Sequence, residues 1–185
     1  MLAGDALQSE AMLVVAGEPL VADAARNAEL LRTFATACGS RGMAGGQAID
    51  LGAVGKTLDA AGLERMHGMK TGALIRAAIL LGAGCGEPLA PPLAAGLGRY
   101  ADAIGLAFQV VDDILDVEAS SAELGKTAGK DARQNKPTYV SALGLDAAKA
   151  QARRLHAESR EAIAFAGERG RRLAEMADFI MLRKN

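Results

Sequence analysis

Apolar residues recur along this chain at helical spacing, and the recurrence is interrupted by short stretches of glycine, proline and charge. The first two such segments run from about Asp5 to Ala16 and from Asp23 to Cys38, with Gly17-Glu18-Pro19 as the turn between them and Asp23 placed as an N-cap. A third covers Arg41 to Leu51. Gly52 to Gly55 breaks the pattern, Asp59 restarts it through Glu64 and His67, and an apolar helix is predicted over Lys70 to Leu81. Gly82-Ala83-Gly84-Cys85-Gly86-Glu87-Pro88 reads as a turn. A long helix follows over Pro91 to Val117, then a polar, glycine-bearing loop from Glu118 to Pro137, then amphipathic helices over Ala147 to Gly167 and Arg171 to Arg183. Runs of β-branched residues are scarce and good helix formers abundant, so the fold class is all-α. There is no internal repeat or low-complexity segment, and residues 1–185 read as a single domain or part of one.

Within the long helix, Gln109-Val110-Val111-Asp112-Asp113-Ile114-Leu115-Asp116 departs from the ordinary amphipathic pattern. At helical pitch Asp112, Asp113, Asp116 and Gln109 fall within one arc of about 100°. Ile104, Ala107, Phe108, Val110, Val111, Ile114 and Leu115 occupy the rest of the circumference, so the helix is expected to be buried except along this stripe. Like charges at these spacings repel by roughly a few tenths of a kcal/mol each, and acids near a helix C-terminus oppose its dipole. A cation is the expected compensation. Three carboxylates are hard oxygen donors, which suits Mg²⁺ shared with substrate phosphates. Gly98 and Gly105 lie on the stripe's side and leave room for something to lie along it.

Composition adds limits. With 50% hydrophobic residues and a net charge of −1, the chain shows no bias toward nucleic acid or an anionic membrane. Cys38 and Cys85 match no metal or redox spacing and read as buried small apolar residues. The most apolar stretch, Ala73 to Cys85, is interrupted by Arg76 and is too short for a membrane span, and the N-terminus has no signal-peptide n-region; the expected location is cytoplasmic.

The polar loop supplies the complementary charge. Gly125-Lys126-Thr127, Gly129-Lys130-Asp131 and Lys136-Pro137-Thr138 place mobile cations on pliant backbone just after the stripe. Carboxylates, a divalent metal and lysines together make a diphosphate site, although a lysine-bearing loop alone is an ordinary solvated connection. Upstream, Lys70-Thr71 opens the predicted apolar helix, where free N–H groups favour an anion. By themselves these residues read equally as a capping Thr beside a surface Lys. Gln47 and Asp50 lie on one face of their helix and could be no more than its polar side. His67 reads as a helix-surface or hydrogen-bonded residue, and neither it nor His156 has a second ligand at metal spacing.

These segments occur in a familiar order. Gly45-Gly46-Gln47-Ala48-Ile49-Asp50-Leu51, His67-x-x-Lys70-Thr71-Gly72-Ala73-Leu74-Ile75, Gly105 through Asp116, Leu124-Gly125-Lys126, Gly129-Lys130-Asp131 and Lys136-Pro137-Thr138-Tyr139 resemble the trans-isoprenyl diphosphate synthases, and among them the bacterial farnesyl diphosphate synthases. The likeness extends to Ala177-Asp178-Phe179-Ile180 and the basic end Arg183-Lys184. It implies an all-helical isoprenoid-synthase bundle, usually a homodimer, that condenses an allylic diphosphate with isopentenyl diphosphate. Asp112, Asp113 and Asp116 match the second aspartate-rich motif, which holds Mg²⁺. Lys70, Lys126 and Lys136 match the lysines that grip the diphosphate, with Gln47 and Asp50 as further substrate-binding positions. Thr71 and Gln109 match polar groups near the developing allylic cation, and Asp131 an acid that organises the loop. The resemblance has no counterpart here to the first aspartate-rich motif, so the chain is expected to be the C-terminal part of such an enzyme, lacking several helices. The expected activity is therefore prenyl transfer, or alternatively a non-catalytic or split-enzyme subunit that retains a Mg²⁺–diphosphate half-site. Apolar surface left by absent helices would favour a homodimer or association with an N-terminal part.

Overall fold

The computed structural model describes residues 2–122 and 137–183, without the side chains of residues 120–122. Among the described residues the secondary structure is helical throughout: α1 (Leu2–Gly17), α2 (Ala24–Cys38), α3 (Met43–Gly52), α4 (Ala60–His67), a π-helical turn (Gly68–Gly72), α5 (Ala73–Gly84), α6 (Pro91–Ala122), α7 (Tyr139–Leu143), α8 (Leu145–Ile163), a 3₁₀ segment (Ala164–Gly170) and α9 (Arg171–Leu182). The expected all-α class is what the structure shows.

Local chemistry sets most boundaries. Asp23 caps α2 by accepting from the amides of Ala25 and Arg26 at 2.8 and 3.1 Å, and Asp59 caps α4 by accepting from Gly62 at 2.8 Å. Pro91 opens α6, where a missing N–H costs nothing. Thr138 and Ser141 form a capping box on α7, a short helix the periodicity does not reveal. Between α7 and α8 the backbone turns at Gly144 with φ +84°, a conformation open to glycine.

Three boundaries differ most from expectation. Helix α6 continues to Ala122 rather than stopping at Val117, and Glu118 in the added turn pairs with Lys149 of α8 at 2.6 Å. The segment expected as one helix to Gly167 instead leaves α-geometry after Ile163 and bends at Gly167, with φ +51°. Most consequential, α4, the π turn and α5 follow one helical path, with helical dihedrals at His67, Gly68, Gly72 and Ala73. No helix begins at Lys70.

Helix α6 is the axis of the molecule. Tyr100, Ala101, Ile104, Ala107 and Val110 are all but inaccessible to solvent along it, and it packs on α5, the π turn, α7, α8 and α9. Leu63 and Met66 of α4, Ala148, Ala152 and Leu155 of α8, and Ala177 and Ile180 of α9 complete the core. Polar ties fix the last helix: the Tyr100 hydroxyl donates to the Leu173 carbonyl at 2.7 Å, and Asp178 meets His156 and Arg160 of α8 at 2.7 and 2.8 Å. His156 therefore has a structural partner. Cys38 is buried as expected, but Cys85 is exposed, because it lies in the turn that ends α5. Helix α1 buries none of its residues and rests on α2.

Candidate functional site

The acidic stripe of α6 divides into different environments. Asp113 is buried and its Oδ2 accepts the backbone N–H of Tyr139 at 2.6 Å, so the middle carboxylate ties α6 to the first residue of α7. Asp112 is about half exposed, at 46% of its side chain. Its Oδ1 accepts from Nη2 of Arg183, and its Oδ2 accepts from Nε2 of Gln109 at 3.3 Å. Asp116 is partly exposed one turn further on. The stripe thus has a cation against it, supplied by Arg183 from 71 residues away in sequence. No local pattern could have indicated that pairing; the only signal was a basic residue at the end of the last helical period.

Lys70 is also committed to a partner. Its Nζ lies 2.6 Å from Oδ2 of Asp50, which is buried on α3 while Lys70 keeps about a third of its side chain exposed. This contact requires α3 to approach the π turn closely, and glycine permits it: a Cβ at Gly46 would stand 2.2 Å from the Lys70 amide nitrogen. On the other side, a Cβ at Gly105 would stand 3.0 Å from Cα of Gly72. The π turn is therefore wedged between α3 and α6, one turn before Gln109. It carries Lys70 and Thr71 to the stripe's helix by packing rather than by presenting free helix-terminal N–H groups. The anion seat expected at a helix N-terminus is absent for that reason, and π turns of this kind recur at functional positions. Gly105 receives this turn, and Gly98 receives the guanidinium of Arg76, whose Nη1 donates to the Gly98 carbonyl at 2.9 Å and pairs with Asp102 at 2.7 Å. The space along the stripe's side at these glycines is thus filled by the protein itself.

His67 is not a surface residue. It is buried, and its ring stacks on that of Tyr139 with centroids 5.6 Å apart. Burial raises the Tyr139 hydroxyl pKa well above its ordinary value, with Glu64 and Asp113 adding to the effect. This packing holds the start of α7, and so the chain just after Lys136, against α4 and α6. Gln47 and Thr71 are partly buried on α3 and the π turn. Lys126, Lys130, Asp131 and Lys136 lie outside the described residues. Among the described residues no three His, Cys, Asp or Glu side chains converge at metal-holding distance.

An aspartate stripe on α6 and a buried Asp50 on α3 paired with Lys70 of the π turn thus sit in an all-helical frame. The polyprenyl synthetase family profile matches residues 1–166. The chain belongs to the polyprenyl synthetase family. It is 44% identical over 188 residues to the farnesyl diphosphate synthase of Escherichia coli K12, a match covering 99% of this chain and 62% of that protein. An apo FPP/GFPP synthase from Zymomonas mobilis superposes with a TM-score of 0.82 at 34% identity, over 96% of this chain and 59% of that one. The geranyltransferase of Helicobacter pylori, solved in complex with magnesium and isoprenyl diphosphate, gives 0.78 at 28% identity, over 97% and 58%. The chain thus spans between half and two thirds of the length of the relatives it matches.

Proposed function

We propose that these residues form the Mg²⁺- and diphosphate-binding half of a prenyltransferase that joins an allylic diphosphate to isopentenyl diphosphate. The observation that carries this reading is the packing of the Lys70-Thr71 turn against Gly105, directly before Gln109 and the Asp112, Asp113, Asp116 stripe, in a chain of this family. The donor set fits Mg²⁺ in kind, being carboxylate oxygens with no thiolate or imidazole among them. Asp112, Asp113 and Asp116 would hold the metal, whose chemistry is to neutralise diphosphate charge.

Lys70, Lys126 and Lys136 grip the diphosphate; Asp50 acts on it through Lys70, which it orients. In the reaction the bond from allylic carbon to diphosphate oxygen breaks, the double bond of isopentenyl diphosphate supplies the electrons of the new carbon–carbon bond, and the cation this leaves on the isopentenyl unit is quenched by loss of a proton from its adjacent carbon to the departed diphosphate. Side-chain oxygens of Thr71 and Gln109 present dipoles to the positive charge that develops. Gln47 belongs to the substrate-facing side of α3. No protein nucleophile is needed. The protein works as a homodimer or with an N-terminal part that supplies the other carboxylates, and in the cytoplasm; among the described residues no helix is long and apolar enough to cross a membrane.

A second reading, a half-site subunit that binds but does not turn over by itself, is favoured by the apolar residues exposed on α1 and α9. Both readings share one test. Calorimetry with inorganic pyrophosphate should show binding that depends on Mg²⁺ and is weakened by Asp112→Asn. Equal binding with and without metal rules out the arrangement.

A further inference from the structure

Arg183 follows α9 directly and reaches back to the centre of α6. Its Nη2 donates both to Oδ1 of Asp112 and, at 2.9 Å, to the backbone carbonyl of Phe108. The guanidinium also lies over the Phe108 ring, 4.0 Å from the centroid. Only 17% of the Arg183 side chain is exposed, whereas Asp112 keeps 46%. A solvent-exposed ion pair rarely holds its partners in one geometry. Here one planar cation has an aromatic face, a carbonyl and a carboxylate at once, which is a built seat. The other oxygen of the same carboxylate is occupied by Gln109.

We propose that Arg183 is the resident counter-cation of Asp112, and that Mg²⁺ takes this carboxylate in competition with it. The proposal rests on reading the stripe as the metal site. A guanidinium and a dication on one carboxylate repel each other, so whichever is present weakens the other. With Arg183 seated, part of the like-charge cost of the aspartate cluster is offset without a metal. When Mg²⁺ arrives without a diphosphate to absorb the added charge, Arg183 must leave Asp112 or oppose the newcomer. The Phe108 contacts remain available to the arginine, so its displacement is local and reversible. Arg183 thereby makes the stripe selective for metal that comes with its anion, because bare Mg²⁺ has to overcome the resident charge.

The test is calorimetry of Mg²⁺ alone on the full 185-residue chain. Arg183→Gln should bind Mg²⁺ roughly tenfold more tightly than the wild type, the scale expected for removing one unit charge a few ångströms from a partly hydrated dication. Arg183→Lys keeps the charge and should stay near the wild-type affinity, which separates competition from a merely structural role. Asp112→Asn should abolish the Arg183 effect. Hydrogen exchange gives a second readout: the Arg183 amide, which donates to the Phe179 carbonyl at 2.9 Å, should lose protection when Mg²⁺ is added to the wild type. If Arg183→Gln folds poorly, Phe108→Leu weakens the arginine's seat and leaves Asp112 intact; it should raise Mg²⁺ affinity in the same direction. Unchanged or weaker Mg²⁺ binding in Arg183→Gln, with binding still lost in Asp112→Asn, overturns the counter-cation and leaves the metal site standing. Absence of Asp112-dependent Mg²⁺ binding in both the wild type and Arg183→Gln overturns both.

Discussion

At the residue scale, Asp112 and Asp113 are neighbours in sequence and opposites in environment. Asp113 is buried with its carboxylate on the Tyr139 amide, so removing the acceptor strands a buried donor. Asp113→Ala should therefore lower stability by about 1–3 kcal/mol in urea unfolding, with faster exchange at the Tyr139 amide. An unchanged Tyr139 amide would show that another group holds α7. The two tyrosines supply a pH signature. Burial, with the Asp178 charge adding to it, pushes the Tyr100 hydroxyl from 10.0 up to about 12, and Tyr139 is raised further. A raised folded pKa means that the stability from these groups is complete below pH 10 and is lost as pH climbs, because the unfolded chain releases its protons first. Tyr100 alone accounts for a loss of about 2 kcal/mol by pH 12. With two tyrosines and no tryptophan in the chain, an ultraviolet titration reads these groups directly. No phenolate should appear near pH 10 while the protein stays folded; a normal titration there would contradict their burial. The stripe itself was legible in the sequence, because helical pitch places its members. Its division of labour was not, since Tyr139 and Arg183 reach it from 26 and 71 residues away.

At the element scale, the decisive piece is the π turn between α4 and α5. Apolar periodicity indicated the helices on either side, and Asp23 and Asp59 marked two starts correctly. A widened turn keeps helical dihedrals while its extra residue shifts the apolar register, so the pattern reads like a fresh helix start at Lys70. What betrays it in hindsight is glycine: Gly46 on α3 and Gly105 on α6 clear the two sides of the turn. Gly46→Ala puts a methyl 2.2 Å from the Lys70 amide, against backbone that cannot swing aside. It should cost about 1–3 kcal/mol or more, and should loosen the Asp50–Lys70 pair enough to weaken pyrophosphate binding. Gly52→Ala, at the exposed end of the same helix with nothing within 4 Å, should instead be neutral or stabilise by about 0.4–1 kcal/mol. Equal effects of the two substitutions in chemical denaturation would mean that α3 and the turn are not tightly apposed.

At the scale of the whole molecule, the chain presents apolar surface that a core would ordinarily claim. Leu2, Leu7, Leu13 and Val14 are exposed on α1, and Met176, Phe179 and Leu182 on α9. Between α5, α6 and α9 lies a cavity of about 590 Å³ walled by Ile75, Ile79, Tyr100, Ile104, Phe108 and Ile180. Such surface favours association. In the proposed reaction such surface would leave the developing cation open to water, and among the described residues the proposed site has one carboxylate set, the stripe of α6, to support the departing diphosphate. Loss of a single preorganised electrostatic group commonly costs about 100- to 1,000-fold in rate, and here a second carboxylate set is at issue. The 185-residue polypeptide by itself should therefore bind Mg²⁺ with pyrophosphate but condense allylic and isopentenyl diphosphates far below enzymatic rates. A complementing fragment that supplies an N-terminal aspartate-rich motif should raise turnover, and Asp112→Ala in the pair should remove it. The measurement is incorporation of labelled isopentenyl diphosphate into extractable prenyl product, with light scattering to follow whether the fragment also relieves self-association. Robust product from the 185 residues alone would show that residues already in this chain complete the site, and would move the search for the second carboxylate set to the acids facing α6.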